Sequence, residues 1–177
     1  MTSPDPFATL PGVPSFNLSS ESFSDGGELR PPQRSAIFGV PGGKDLSPQL
    51  SWSGAPSETK SYTVTVFDPD APGAGGFWHW AVVNLPASIT SLKEGAGARD
   101  GSKLPAPAVQ LKNDDGFRGF VGAGPPKGHG QHRYIVTVLA VDVEELGVDG
   151  RTAPVALVSH LARHTLARAS ITGLFGR

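Results

Sequence analysis

Glycine and proline interrupt this chain too often for helices to dominate its fold. It holds 23 Gly and 17 Pro in 177 residues, and either residue inside a helix weakens or breaks it. What stands between the breaks is strand-like. In Ser61–Asp68, Tyr62, Val64 and Val66 share one face, while Thr63, Thr65 and Phe67 share the other. The β-branched and aromatic content predicts a strand. Phe77–Leu85 and His132–Asp142 are apolar on both faces, as strands covered on both sides are. Shorter strands are expected at Phe16–Leu18, Ser35–Phe38, Gln49–Trp52 and Val109–Leu111, and Trp52 and Phe67 read as core. Loops fill Pro41–Pro48, Pro69–Gly76, residues 94–107 and Gly116–Gln131, the last with eight Gly or Pro in sixteen residues. One helix is predicted, from Pro154 to about Ala169, with Thr152 as its cap and Gly173 beyond its end. Val155, Val158, Leu161, Ala162, Thr165, Leu166 and Ala169 recur at helical spacing there.

This length suits one domain with a real core. Residues 1–15 read as a Pro-rich arm, and residues 16–177 as a single mainly β domain. The absence of cysteine rules out disulfides and Cys-ligated metal. A formal net charge of −1 argues against nucleic acid as a partner. No apolar run reaches 18 residues, so no integral membrane contact is expected. With no signal-like start, the cytoplasm is the expected compartment. The apolar helix face packs either on the sheet or on a second copy of the chain, so a homodimer stays compatible.

Polar residues gather at strand ends. Asp68 and Asp70 stand where one strand stops, and His79 where the next begins. A hairpin between them puts all three at one end of a sheet. His132 and Tyr134 open the third long strand, straight after the Gly/Pro-rich loop. Together these five residues outline a pocket for a small anion. Histidine N–H groups donate, a carboxylate orients an imidazole and favours its cation, and backbone in Gly122–Gly130 approaches closely. Phe77, Trp78 and Trp80 offer apolar walls. The plainer reading is that the aspartates cap a turn and the histidines bond carbonyls.

Three motifs then stand in order: Asp68-Pro69-Asp70-Ala71-Pro72, Phe77-Trp78-His79-Trp80 with Val82-Val83-Asn84-Leu85-Pro86, and Gly124-Pro125-Pro126-Lys127-Gly128 with His132-Arg133-Tyr134. In this the chain resembles the phosphatidylethanolamine-binding protein family, in its bacterial Raf-kinase-inhibitor-like branch. The resemblance implies a β-sandwich-like domain with a large antiparallel central sheet, a smaller sheet and a C-terminal helix. It implies a ligand pocket at Asp68, His79, Gly124, Pro125 and His132, with Tyr134 at the rim. Asp70 and Pro72 belong to the first motif, Phe77 and Trp80 shape the pocket, and a cis peptide is expected at Ala71–Pro72. His129 departs from several relatives, and its part in the pocket is open. The implied ligand is a phosphate-bearing small molecule or a phospholipid headgroup such as phosphoethanolamine, bound without turnover, without a cofactor and without catalytic residues. The alternative is a regulatory module that modulates a kinase or protease through phosphorylated or acidic peptide.

Enzyme readings are weaker. A metal-dependent enzyme could use Asp68, His79 and His132, with Asp70 and His129 nearby, as a two-His-one-carboxylate centre. However, glycines flank His129, and no His-Glu-x-x-His helix appears. No Gly-x-Ser-x-Gly elbow supports a hydrolase. Gly122–Lys127 lacks the endings of both nucleotide-binding glycine motifs. His160 and His164 read as a polar stripe on the helix, and Asp114-Asp115-Gly116 as a turn.

Overall fold

The structure, a computed structural model, describes residues 5–177, so the first four residues of the Pro-rich arm lie outside the described residues. In chain order the elements are β1 (Asn17–Ser19), β2 (Leu50–Ser53), β3 (Ser61–Asp68), β4 (Phe77–Pro86), β5 (Ser91–Leu92), β6 (Val109–Gln110), β7 (Gln131–Val141), α1 (Leu157–Leu161) and β8 (Thr165–Gly176). They form a small antiparallel sheet ordered β1-β2-β5 and a large one ordered β6-β4-β3-β7-β8.

Alternation in the central strands builds two cores. Tyr62, Val64 and Val66 of β3, with Tyr134, Val136 and Val138 of β7, join Leu50, Trp52 and Leu92 of the small sheet. On the opposite face, Phe67, Ala81, Val83, Leu139 and Val141 pack against Leu157 and Leu161 of α1. Phe7 and Leu10 join this second core, so this part of the arm is packed rather than free. Both β3 and the interior of β4 are buried on their two faces, which is why β4 shows no polar alternation. Among the described residues no helix is long and apolar enough to cross a membrane.

The C-terminal helix is much shorter than its periodicity predicts. A 3₁₀ turn at Pro154–Ala156 leads into five α-helical residues, and Thr165–Gly176 is then a strand paired along β7. The same residues satisfy two periods. Ala and Leu suit a helix, yet every second residue from Ala167 to Phe175 is buried in β8. Pairing with β7 satisfies the backbone on both strands, and tertiary context overrides helix propensity. Thr152 does not cap the helix; its Oγ1 accepts from the Asp149 amide. Gly173 is a strand residue, where a Cβ would come within 2.4 Å of Leu29. His160 and His164 form no stripe: His160 bonds the Ala156 carbonyl inside the helix, and His164 lies beyond it, paired with Asp142. The strand expected at Ser35–Phe38 is a turn. Its amides at Ala36 and Ile37 donate to the Asp45 carboxylate, and that of Phe38 to Ser35 Oγ.

Candidate functional site

Three neighbouring strands present their ends together. In the order β4-β3-β7, each pair antiparallel, the end of β3 lies beside the starts of β4 and β7. Asp68 shares the face of Val64 and Val66, and His132 shares the face of Tyr134 and Val136, by simple alternation. His79 reaches that face through a β-bulge. Val66 pairs with Trp80 and Phe67 with Trp78, which leaves His79 as the extra residue. The bulge turns His79 to the side of Tyr134, whose ring centroid is 5.1 Å away. Re-aiming a side chain is what bulges next to binding sites do.

Hydrogen bonds then fix each polar group. His79 Nδ1 donates to the Val121 carbonyl at 2.8 Å, and the Val121 amide donates back to the His79 carbonyl. That sets the tautomer and leaves Nε2 for a ligand. Burial pushes the His79 pKa below its ordinary value, outweighing the Val121 bond and the charges of Asp68 and Asp114. The imidazole is therefore neutral near pH 7. Asp68 Oδ1 accepts from the Asp70 amide, and Oδ2 accepts from His132 Nδ1 at 2.7 Å. His132 Nε2 lies 2.7 Å from Nδ1 of His129. Burial, with the charge of Asp68 next, pushes the Tyr134 phenol well up, so its O–H stays a donor. The plainer reading holds for Asp68, which caps a turn, and for His79, which bonds a carbonyl, but not for Asp70, whose side chain pairs with Arg133, or for His132, which bonds Asp68 and His129.

These groups line a cavity of about 180 Å³. Of the residues singled out from sequence, Asp68, Pro72, Phe77, His79, Gly124, Pro125, His132 and Tyr134 line it. Asp70 does not. Its carboxylate forks onto the Arg133 guanidinium at 2.8 Å through both oxygens and also accepts the Arg133 amide. Arg133 thereby holds the Asp70 pKa down. Trp80 does not line it either, because the bulge sends it into the core, where Nε1 donates to Gln110. Trp78 belongs to the second core. The cis peptide lies at Ala106–Pro107 and not at Ala71–Pro72.

Phe38, Ala71 and Pro126 also line the cavity and were not read from the sequence as pocket residues. Phe38 was hidden because its segment reads locally as a strand. Two further residues position the walls. Asp45 gathers the amides of Ala36, Ile37 and Gly122. Arg177 donates from its guanidinium to the carbonyls of Pro125 and Phe38, and its own carbonyl accepts the Gly128 amide. Neither residue carries a local sequence signal for this role, since Gly122 lies 77 residues from Asp45, and Pro125 lies 52 from Arg177. Among the described residues no three His, Cys, Asp or Glu stand together as a metal-holding group.

Comparison with known proteins finds relatives along most of the chain. The family model described as phosphatidylethanolamine-binding protein matches residues 19–176. The UPF0098 protein YbcL of Escherichia coli is 44% identical over 160 residues, covering 90% of this chain and 87% of its own length. A second protein of that organism, YbhB, is 42% identical over 161 residues, covering 90% and 99%. The crystal structure of E. coli YbcL superposes with a TM-score of 0.88 at 43% identity, covering 92% of this chain and 99% of that one. Its description makes YbcL a member of the mammalian PEBP family.

Proposed function

The chain belongs to the phosphatidylethanolamine-binding protein family, and on that footing we propose that its cavity binds a phosphate-type anion, such as a phosphoethanolamine headgroup, without converting it. The observation that carries this reading is the convergence of two imidazoles and one phenol inside an apolar collar. His79 and Tyr134 supply donors, while Phe38, Pro72, Phe77 and Pro125 exclude water. A hydrogen bond in such a site is stronger than in water.

The proton accounts for the binding. Neutral His79 offers a lone pair at Nε2, which repels an anionic oxygen. An anion arriving with a proton, or one that raises the basicity of Nε2 by its charge, makes that nitrogen a charge-assisted donor. With an anion that brings no proton, complex formation takes one up from solution. The reading is one of binding alone. Asp68 is committed to His132 and to the Asp70 amide.

Titration calorimetry with inorganic phosphate and phosphoethanolamine tests this, in wild type and His79→Ala, at pH 6 and pH 7.5 with EDTA present. Binding stronger at pH 6 and lost in the variant supports the reading. A preference for phosphoethanolamine over phosphate identifies a headgroup as the ligand. No heat with either ligand in the wild type overturns the proposal.

A further inference from the structure

His132 has no ring nitrogen left for a ligand. Nδ1 is bonded to Asp68 and Nε2 to His129. For His132 to contact an anion, one of these partners has to leave, and the two are unequal. Asp68 is 3% exposed, sits on a central strand and is bonded through both oxygens. Displacing it would strand a buried carboxylate, which is far costlier than giving up one exposed hydrogen bond. His129 is exposed, and it sits between Gly128 and Gly130. Both glycines hold left-handed backbone, φ +77° and +88°, and a Cβ on either would meet nothing within 4 Å. The backbone is held by the bonds of Gly128 to Arg177 and of His129 to Pro126, so the movement is a rotation of the exposed side chain. Swinging His129 away gives up one hydrogen bond, and its freed nitrogen then reaches water.

We infer that His129 is a displaceable latch on the pocket: it occupies Nε2 of His132 while no ligand is bound, and an entering phosphate-type anion takes that nitrogen in its place, through a proton that the anion brings or that Nε2 takes up. The inference rests on the reading of the cavity as an anion site. His132 keeps its bond to Asp68 throughout, so the carboxylate holds the imidazole in place while the outer partner is exchanged. The latch sets a cost on every anion that uses His132. It also keeps the buried imidazole fully bonded when no ligand is present, which an empty polar pocket otherwise does not achieve.

The test compares inorganic phosphate affinity in wild type, His129→Ala and His129→Gln by calorimetry at pH 6. Removing the competitor should tighten binding about three- to tenfold in His129→Ala. His129→Gln, whose amide can still reach Nε2, should fall between. Imidazole ¹⁵N spectra of the wild type give a second readout. Saturating phosphate should move His129 to the position of a free imidazole while the His132 Nδ1–H signal stays. Unchanged affinity in His129→Ala, with wild type binding and His79→Ala not, overturns the latch alone. Weaker affinity also overturns it, because His129 is then a direct ligand contact. If none of the proteins binds phosphate or phosphoethanolamine, the anion reading and the latch fall together.

Discussion

Nδ1 of His132 lies 2.7 Å from Oδ2 of Asp68, and the two side chains are only 2% and 4% exposed. A buried pair of this kind is costly to break from one side, because the remaining partner stays desolvated. Asp68→Ala should therefore lose about 3 kcal/mol of stability along with phosphate binding. Asp68→Asn, which keeps an oxygen for the Asp70 amide, should lose less. Urea unfolding midpoints check the order, and equal losses in the two variants would contradict it.

Acid should weaken the empty protein and strengthen its complex. The His79 pKa is depressed in the folded state by burial, so below the unfolded value near 6.5 the unfolded chain takes up a proton that the folded one refuses. The contribution of this residue is complete above that value and is lost progressively as pH falls from there through the lower folded one. His79→Gln should show a shallower loss of urea midpoint between pH 7.5 and pH 5 than the wild type. Affinity for sulfate, whose charge is constant over that range, should rise as pH falls. A sulfate affinity independent of pH would remove His79 from the binding.

Asp70 should matter for stability and little for ligand. It faces Arg133 rather than the cavity, and the Arg133 side chain is half exposed, so Asp70→Ala should cost only about 1 kcal/mol. Phosphate affinity should stay within about twofold of wild type, since a partly exposed pair outside the cavity adds little to a ligand's binding. A loss as large as that of His79→Ala would return Asp70 to the binding set.

Gly124 is a contact glycine. A Cβ there would stand 2.7 Å from Cδ2 of Phe38 and 2.8 Å from its Cβ, so Gly124→Ala has to push a cavity wall. A stability loss of about 1–3 kcal/mol is expected, with a reduced phosphate affinity. Neutral behaviour in both measurements would show that Phe38 yields freely.

On the opposite face, the short α1 should still be essential. Leu161 is fully buried in the second core, whereas Val155 is 64% exposed. Leu161→Ala should cost about 2–5 kcal/mol, and Val155→Ser about 0.5 kcal/mol or less. Thermal unfolding of the two variants separates them.

The long central strands were legible because a half-buried strand has to alternate and a doubly covered one has to be apolar throughout. Ser61–Asp68 and Phe77–Pro86 obey this with few competing residues. Thr165–Gly176 was not legible. Its Ala and Leu residues fit a helix as well as a strand, and only the free edge of β7 decides between them. Within the site, Asp68, His79 and His132 were readable as strand ends. The bulge that separates His79 from Trp80 depends on the pairing between β3 and β4, and no local pattern announces it. Asp70 was misplaced for a similar reason: its partner Arg133 lies 63 residues away in the chain.

The bonds of Arg177 to Pro125, Phe38 and Gly128 tie the cavity walls to β8, an edge strand of the large sheet. The outer side of this strand end is bonded to residues 26–29 through Thr172 and Leu174, so it opens together with that segment, at a free energy below that of global unfolding. Amides of the Gly124–Gly130 segment should therefore exchange with solvent deuterium together with the outer residues of β8, and earlier than those of β3. The lifetime of the ligand-competent cavity is then governed by local opening around one strand end, and a protein whose core is intact can still be, for a time, without a closed site.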